Sequence, residues 1–141
     1  NSTEYEQAIF PHMKRIISTV KSRFPNLPLA MNGVGTDHLV STWAKLPLDV
    51  IALDWRSPLA AATDRGLTQT VQGNLDPAYL YADTKTIAKV VDEILMDGIR
   101  HGKHVFNLGH GVFPEADPAK LHWLTDYVHE KSRILWARES R

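Results

Sequence analysis

The chain alternates between short apolar runs and longer segments in which apolar residues recur every three or four positions. The short runs predict buried β-strands, and the longer segments predict amphipathic helices. The four predicted strands cover Leu27–Gly33, Val50–Trp55, Thr68–Leu75 and Lys103–Leu108. The second run is apolar up to Asp54, as expected of a strand that is covered on both faces.

Helices are predicted before, between and after these strands. They cover about Thr3–Arg23, His38–Lys45, Ser57–Gly66 and Asp83–Met96, with a last helix beginning after Asp117-Pro118. The apolar stripe of the first helix is formed by Ile9, Met13, Ile16, Ile17 and Val20. Pro25 is expected to end that helix, and Gly98 is expected to follow the end of the fourth.

This order, one helix followed by four strand-helix units, predicts an α/β fold with a parallel sheet and right-handed crossovers. Two architectures fit the pattern equally well. One is a small doubly wound sheet, and the other is half of a (β/α)8 TIM barrel, whose full length is about 250 residues. Strand order distinguishes them, because only the doubly wound sheet reverses direction from the middle outward.

Composition excludes several classes of protein. Lys+Arg and Asp+Glu both number 16, so a neutral chain gives no reason to expect nucleic acid or anionic lipid as a partner. Cysteine is absent, which excludes disulfides and thiolate zinc sites and fits a reducing compartment. No apolar run approaches the roughly 20 residues of a membrane helix. We expect a cytoplasmic location, or a plastid one in a photosynthetic eukaryote.

Polar segments lie at the carboxyl ends of all four predicted strands. Parallel α/β folds bind their ligands at these ends. The polar segments are Asn32-Gly33, Asp54-Trp55-Arg56, Gln72 to Asp76, and Asn107 to Gly111. His110 is the leading candidate, because Gly109 and Gly111 let the backbone approach a ligand and leave the imidazole open to bind a carboxylate or carbonyl. The alternative is a surface histidine without a role.

The other polar residues at the strand ends divide into binding and structural candidates. Arg56 can bind an anionic substrate group through two hydrogen bonds or can pair with Asp54, and Asn32 is a further binding candidate. The structural candidates are Asp54, Gln72, Asn74 and Asp76. A buried carboxylate needs partners, and an Asp-Pro pair is typical of a helix N-cap. His101 and His104 flank a predicted turn at Gly102-Lys103 with no carboxylate or Cys near them, so no metal site is predicted.

Three motifs in order resemble those of one family. The segments Gln72-Gly73-Asn74-Leu75-Asp76-Pro77 and Phe106-Asn107-Leu108-Gly109-His110-Gly111 look like the two C-terminal signatures of uroporphyrinogen decarboxylases. Leu53-Asp54-Trp55 resembles a third signature, and Val128 to Arg133 resembles the closing helix of the family. The resemblance spans nearly the whole chain, which is identified as the C-terminal part of such a protein.

The resemblance implies a fold and a function. The fold is a (β/α)8 barrel, usually a homodimer, and residues 1–141 form the C-terminal half of it as a single partial domain. The implied reaction removes the four acetate carboxyls of uroporphyrinogen III, giving coproporphyrinogen III in haem biosynthesis, without metal or organic cofactor. His110 matches the active-site histidine of the family. The implied catalytic aspartate and substrate-binding arginines belong to the missing N-terminal half.

Two other functions remain open at this stage. A related branch consists of corrinoid-linked methyltransferases, which hold zinc with His and Cys; the absence of Cys argues against it. The second is a non-catalytic half barrel that binds tetrapyrroles. Since four parallel strands leave two unpaired edges, we expect the segment to need the rest of the barrel and to be inactive alone.

Overall fold

The computed structural model describes residues 1–139, which form the predicted succession of a first helix and four strand-helix units. The strands are β1 (Ala30–Asn32), β2 (Val50–Ala52), β3 (Thr70–Leu75) and β4 (His104–Leu108). The α-helices are α1 (Ser2–Glu4), α2 (Phe10–Arg23), α3 (Val40–Trp43), α4 (Ala60–Asp64), α5 (Thr84–His101) and α6 (Pro118–Glu139). A π-helical segment, Tyr5–Ile9, joins α1 to α2, and 3-10 turns cover Asp37–Leu39 and Pro77–Tyr81.

The sheet has its four strands in the order β1-β2-β3-β4, and every pair is parallel. The spatial order follows the chain without reversal, which a doubly wound sheet does not do. Four consecutive strands of a (β/α)8 barrel have this arrangement. The predicted α/β class is therefore confirmed, and the sheet is that of a partial TIM barrel.

One face of the sheet carries the core. Ile51 and Val71 stand opposite each other in the register of β2 and β3, and both are 0% exposed. Ile87 and Val91 of α5 are equally buried against this face, as is Leu75 at the end of β3. Alternate residues of a strand point to opposite faces, so the sequence pattern of β2 and β3 places their largest aliphatic side chains beneath the helices.

The opposite face of the sheet is open at its edges. One row across the four strands consists of Asn32, Ala52, Gln72 and Val105. Asn32 and Val105, on the two edge strands, are exposed, and the two middle residues are half-buried. In a closed barrel this face is the interior, which is filled by side chains from all eight strands. We call this partly exposed side the bare face of the sheet. It corresponds to the interior of a barrel from which the other strands are absent.

The end of α5 differs from the sequence prediction. The helix was expected to end before Gly98, but it continues through Gly98 to His101. Gly102 ends it with a positive φ of 83°, and its N–H bonds to the carbonyls of Gly98 and Ile99 at 3.0 Å. Gly98 serves packing, because a Cβ there would overlap the imidazole of His104.

The first predicted helix is interrupted and only partly covered. Tyr5–Ile9 is π-helical, and of the predicted apolar stripe only Ile17 is buried. Ile9 is 48% and Ile16 is 55% exposed, so the predicted apolar stripe of this helix is largely uncovered among the described residues. Within residues 1–139, no helix has the length and apolar character required to span a membrane.

Candidate functional site

The carboxyl ends of the strands bring together the segments that follow β2, β3 and β4. The segment after β2 contains Asp54, Trp55, Arg56 and Ser57, which lie beside Asn74 near the end of β3. The segment after β4 reaches them because the N–H of Gly109 bonds to the Leu75 carbonyl at 2.7 Å. The polar strand ends of β2, β3 and β4 thus form one cluster.

Asp54 is the buried centre of this cluster, with 2% of its surface exposed. Its Oδ2 accepts the N–H of Gly35 at 2.6 Å and contacts the Arg56 guanidinium at 3.4 Å. Its Oδ1 accepts the N–H of Arg56 at 3.1 Å and the hydroxyl of Ser57 at 3.2 Å. Because a buried carboxylate is stable only with such partners, Asp54 ties the segments after β1 and β2 together.

Asn74 supports the same segment from β3. It is 7% exposed, and its Nδ2 donates to the carbonyls of Asp54 at 2.9 Å and Ser57 at 2.5 Å. The neighbouring Gly73 has a φ of 135°, and a Cβ there would lie 2.7 Å from the carbonyl oxygen of Leu53. A residue with a side chain does not fit at Gly73, so β3 approaches the end of β2 closely enough for the Asn74 amide to reach it.

A half-buried histidine on β4, His104, also bonds to Gly73. The Nε2 of His104 donates to the Gly73 carbonyl at 2.7 Å, and the imidazole stands nearly perpendicular to the Phe106 ring. Burial lowers the pKa of His104, against the opposing effect of the Gly73 hydrogen bond and with a further lowering by nearby His101. His104 is therefore a structural histidine, and His101 accompanies it at the amino end of β4.

An aromatic ring connects the two exposed candidates. The Arg56 guanidinium carbon lies 3.9 Å above the Trp55 ring, a distance typical of a cation–π contact. The imidazole of His110 stands at 89° to the same ring system, with 5.6 Å between ring centroids. Arg56 and His110 are both exposed. A guanidinium and an imidazole therefore flank one indole at the open end of the strands.

Gly109 permits this approach. A Cβ at Gly109 would overlap the backbone nitrogen of Trp55, so only glycine lets the segment after β4 pack on the segment after β2. His110 follows directly, and besides its ring contact with Trp55 it makes a long hydrogen bond from Nδ1 to the Gly111 carbonyl at 3.4 Å. Gly111 is exposed, and a Cβ there would meet no atom within 4 Å. The close packing therefore excludes a side chain at Gly109, whereas a side chain would fit at Gly111.

The remaining predicted residues lie outside this cluster. Asn32 is exposed on edge strand β1, and no hydrogen bond within residues 1–139 joins its side chain to Arg56 or His110. Gln72 is half-buried on the bare face of the sheet. Asp76 accepts the N–H of Ala78 at 2.9 Å, capping the turn Pro77–Tyr81.

The segment after β1 has an ion pair of its own. The two terminal guanidinium nitrogens of Arg65, Nη1 and Nη2, donate to the carboxylate of Asp37 at 2.6 and 2.8 Å. These hydrogen bonds lower the pKa of Asp37, and burial partly opposes them. Since Gly35 lies two residues before Asp37 and bonds to Asp54, the segment is attached at both points.

Two members of the cluster were not singled out from the sequence. Trp55 was noted only as a member of the segments Asp54-Trp55-Arg56 and Leu53-Asp54-Trp55, and Ser57 only as the first residue of the predicted helix Ser57–Gly66. The structure begins α4 later, at Ala60, and gives the Ser57 hydroxyl to Asp54. An aromatic residue next to an arginine at a strand end is the signal that would have found Trp55.

The charges of the cluster suit an anionic ligand. Arg56 and His110 present donors to solvent, whereas the only carboxylate of the cluster, Asp54, is buried beneath them. Among residues 1–139 there is no group of three or more His, Asp or Glu side chains arranged to hold a metal ion. The fold and the cluster together define a partial (β/α)8 barrel with an exposed guanidinium and an exposed imidazole at the carboxyl ends of its strands.

Comparison with known proteins identifies the family. The family model of uroporphyrinogen decarboxylase (URO-D) matches residues 1–131. A protein named uroporphyrinogen decarboxylase from Staphylococcus carnosus (strain TM300) is 42% identical over 133 residues, which cover 94% of this chain and 38% of that protein. Its namesake from Staphylococcus aureus (strain JH9) is 46% identical over 129 residues, covering 92% and 37%.

The chain belongs to the uroporphyrinogen decarboxylase family. It spans less than two fifths of the length of the curated relatives that it matches. The described residues therefore represent one part of a longer barrel.

Proposed function

We propose that this chain is part of a uroporphyrinogen decarboxylase, which converts uroporphyrinogen III to coproporphyrinogen III. The observation that carries the proposal is the placement of His110 beside Trp55 and Arg56, at the strand ends of a chain that belongs to this family. A substrate with many carboxylates fits a site whose exposed groups are a guanidinium and an imidazole. His110 is the proposed catalytic residue, with Gly109, Gly111, Arg56 and Asn32 as substrate-binding residues.

The chemistry explains why cationic and hydrogen-bonding groups are needed. Loss of carbon dioxide from an acetate side chain leaves an electron pair on the methylene carbon. A pyrrole ring that has been protonated first accepts that pair, and protonation of the methylene then gives a methyl group as the ring proton is lost. Such a site must bind the flanking carboxylates with cationic and hydrogen-bonding groups. It must also stabilise the cationic ring with an anionic group, which is proposed to belong to the N-terminal half. His110 holds a pyrrole side chain or an adjacent carboxylate in this scheme.

The rest of the barrel is required for this activity. An apolar groove of about 870 Å³ lies between α5, the free edge of β4 and the second half of α6. Val105 and Trp136, which line it, are 47% and 58% exposed. We propose that the neighbouring strand and helix of the complete protein cover this groove and that the 141-residue segment alone is inactive.

The family also supports proposals about the complete protein. It is proposed to be a homodimeric carboxy-lyase located in the cytoplasm. No metal ion or organic cofactor is included in the proposed reaction, and neither nucleic acid nor a membrane is a proposed partner.

The test is to incubate the complete parent protein anaerobically with uroporphyrinogen and a metal chelator. Oxidised porphyrins are then separated by their number of carboxyl groups. We expect stepwise loss of four carboxyls, because each acetate becomes a methyl group. A folded, complete protein that removes none would refute the proposal. Decarboxylation that requires added metal would refute the cofactor-free reaction, and turnover by the purified segment would refute its inactivity.

A further inference from the structure

We propose that Arg56 binds a carboxylate that stays on the product, so that it positions the tetrapyrrole without taking part in bond breaking. This inference rests on the proposed function and assigns a particular substrate group to one residue of the site. It assigns Arg56 to a propionate side chain, since in the proposed reaction only the acetates lose carbon dioxide.

The guanidinium of Arg56 contacts two neighbouring side chains but keeps unused hydrogen-bond donors. It stacks at 3.9 Å on Trp55 and contacts Asp54 through one nitrogen at 3.4 Å, which is long for a charge-assisted bond. The Arg56 side chain is 56% exposed, whereas that of Asp54 is 1% exposed. Within residues 1–139 this is the only hydrogen bond of the guanidinium, which has five N–H donors. Several donors are therefore directed toward solvent at the open end of the strands.

Asp54 does not consume the charge of Arg56. Its oxygens already accept the N–H groups of Gly35 and Arg56 and the hydroxyl of Ser57, all at shorter distances than the guanidinium contact. The contact with Trp55 also restricts the position of the guanidinium. A guanidinium that is restricted in position and partly free binds a carboxylate through two parallel hydrogen bonds.

The charge change during decarboxylation decides which carboxylate this is. A carboxylate that leaves as carbon dioxide loses its negative charge as the carbon–carbon bond breaks. In the transition state it therefore carries less charge than in the bound substrate. A guanidinium paired with it would stabilise the ground state more than the transition state and would slow the step. A carboxylate that is retained keeps its charge throughout, so the same pairing contributes equally to all states and serves binding. Arg56 is therefore suited to a retained carboxylate.

The test compares substrate and product binding by the complete parent protein. Arg56→Gln and Arg56→Lys variants are assayed anaerobically for uroporphyrinogen decarboxylation, and coproporphyrinogen is used as a competitive inhibitor. We expect Arg56→Gln to raise the KM for uroporphyrinogen and the Ki for coproporphyrinogen by the same factor, about tenfold. The kcat is expected to change by less than about threefold, because uniform binding is lost. Arg56→Lys should recover part of the affinity, since lysine supplies charge without the planar fork.

Three results would overturn the inference. A raised KM with an unchanged Ki would mean that Arg56 contacts an acetate that leaves. A lowered kcat with unchanged binding would place Arg56 in the bond-breaking step. No change in any constant would mean that Arg56 does not contact the tetrapyrrole.

A matched control separates local from general effects of charge. Arg100→Gln removes the same charge from an exposed residue near the far end of α5, where Arg100 bonds to Asp97 at 3.0 Å. It is expected to leave KM, Ki and kcat unchanged. If the unsubstituted protein itself removes no carboxyl groups, the proposed function fails, and that outcome is distinguishable from all of the above.

Discussion

Two groups of polar side chains lie next to each other at the strand ends and differ in exposure. Asp54, Ser57 and Asn74 are buried and bonded to one another or to backbone. Arg56 and His110 stand above them, exposed and largely free to contact a ligand. The difference separates two tasks, because buried polar groups determine the conformation of a segment and exposed ones act on a ligand. Substitutions in the first group should change stability, and those in the second should change activity.

The largest effect is expected for Asp54→Ala in the complete protein. The substitution leaves the N–H of Gly35 and the hydroxyl of Ser57 without their acceptor in a buried site. We expect the free energy of unfolding in urea to fall by about 3 kcal/mol. Asp54→Asn, which keeps one acceptor oxygen and the volume, should lose less. Unchanged unfolding of Asp54→Ala would remove the basis for treating the buried group as structural.

Asn74→Ala should have the next largest effect. It removes two hydrogen bonds to the carbonyls of Asp54 and Ser57, and we expect a loss of about 2 kcal/mol in the free energy of unfolding. Asn74→Asp is the informative control, since a carboxylate of the same shape cannot donate to either carbonyl. It should be at least as destabilising as Asn74→Ala. A stable Asn74→Asp variant would contradict the observed direction of these hydrogen bonds.

His110→Asn should show the opposite behaviour. The free energy of unfolding is expected to stay within about 0.5 kcal/mol, because His110 is exposed and its hydrogen bond to Gly111 is long. Decarboxylation should slow about tenfold, with partly decarboxylated porphyrins accumulating. His122→Asn, at an exposed position on α6, is the control and should be without effect. Loss of stability in His110→Asn would join this residue to the buried group.

The smallest effect concerns His104, which lies below the buried group. Burial lowers the pKa of His104 from its ordinary value of 6.5. Below pH 6.5, this imidazole therefore takes up a proton more readily in the unfolded chain than in the folded protein. Its contribution to stability is therefore present above 6.5 and is lost as the pH falls toward the lowered pKa. Urea unfolding between about pH 7 and pH 5 should show a shallower pH dependence in His104→Gln. An unchanged slope would assign the dependence to other groups.

The sequence predicted most of the fold, because the apolar runs and helical stripes are long. It placed β3 and β4 within two residues of their observed starts. It ended α5 too early, before Gly98, since the role of Gly98 depends on the packing of His104 against it. Helical spacing alone also could not distinguish the exposed Ile16 of α2 from the buried Ile17.

The sequence identified most residues of the candidate site but did not show which of them are in contact. His110, Arg56 and Asp54 were identified from their positions after strands. The role of Trp55 as their common neighbour was not, because β3 stands between β2 and β4 in the sheet. Only the close approach of Gly109 to the Trp55 backbone brings these two segments into contact. That approach is a property of the assembled strands and has no counterpart in sequence spacing.

The sequential order of the strands has a consequence for how this segment assembles. Ala30 pairs with Val50 and Val50 with Thr70, so each strand needs only its predecessor and the helix between them to form. Contacts between residues close in the chain form quickly, because little loop entropy is lost. Folding of this segment can therefore proceed by stepwise addition of one strand-helix unit to the next, in the order of the chain.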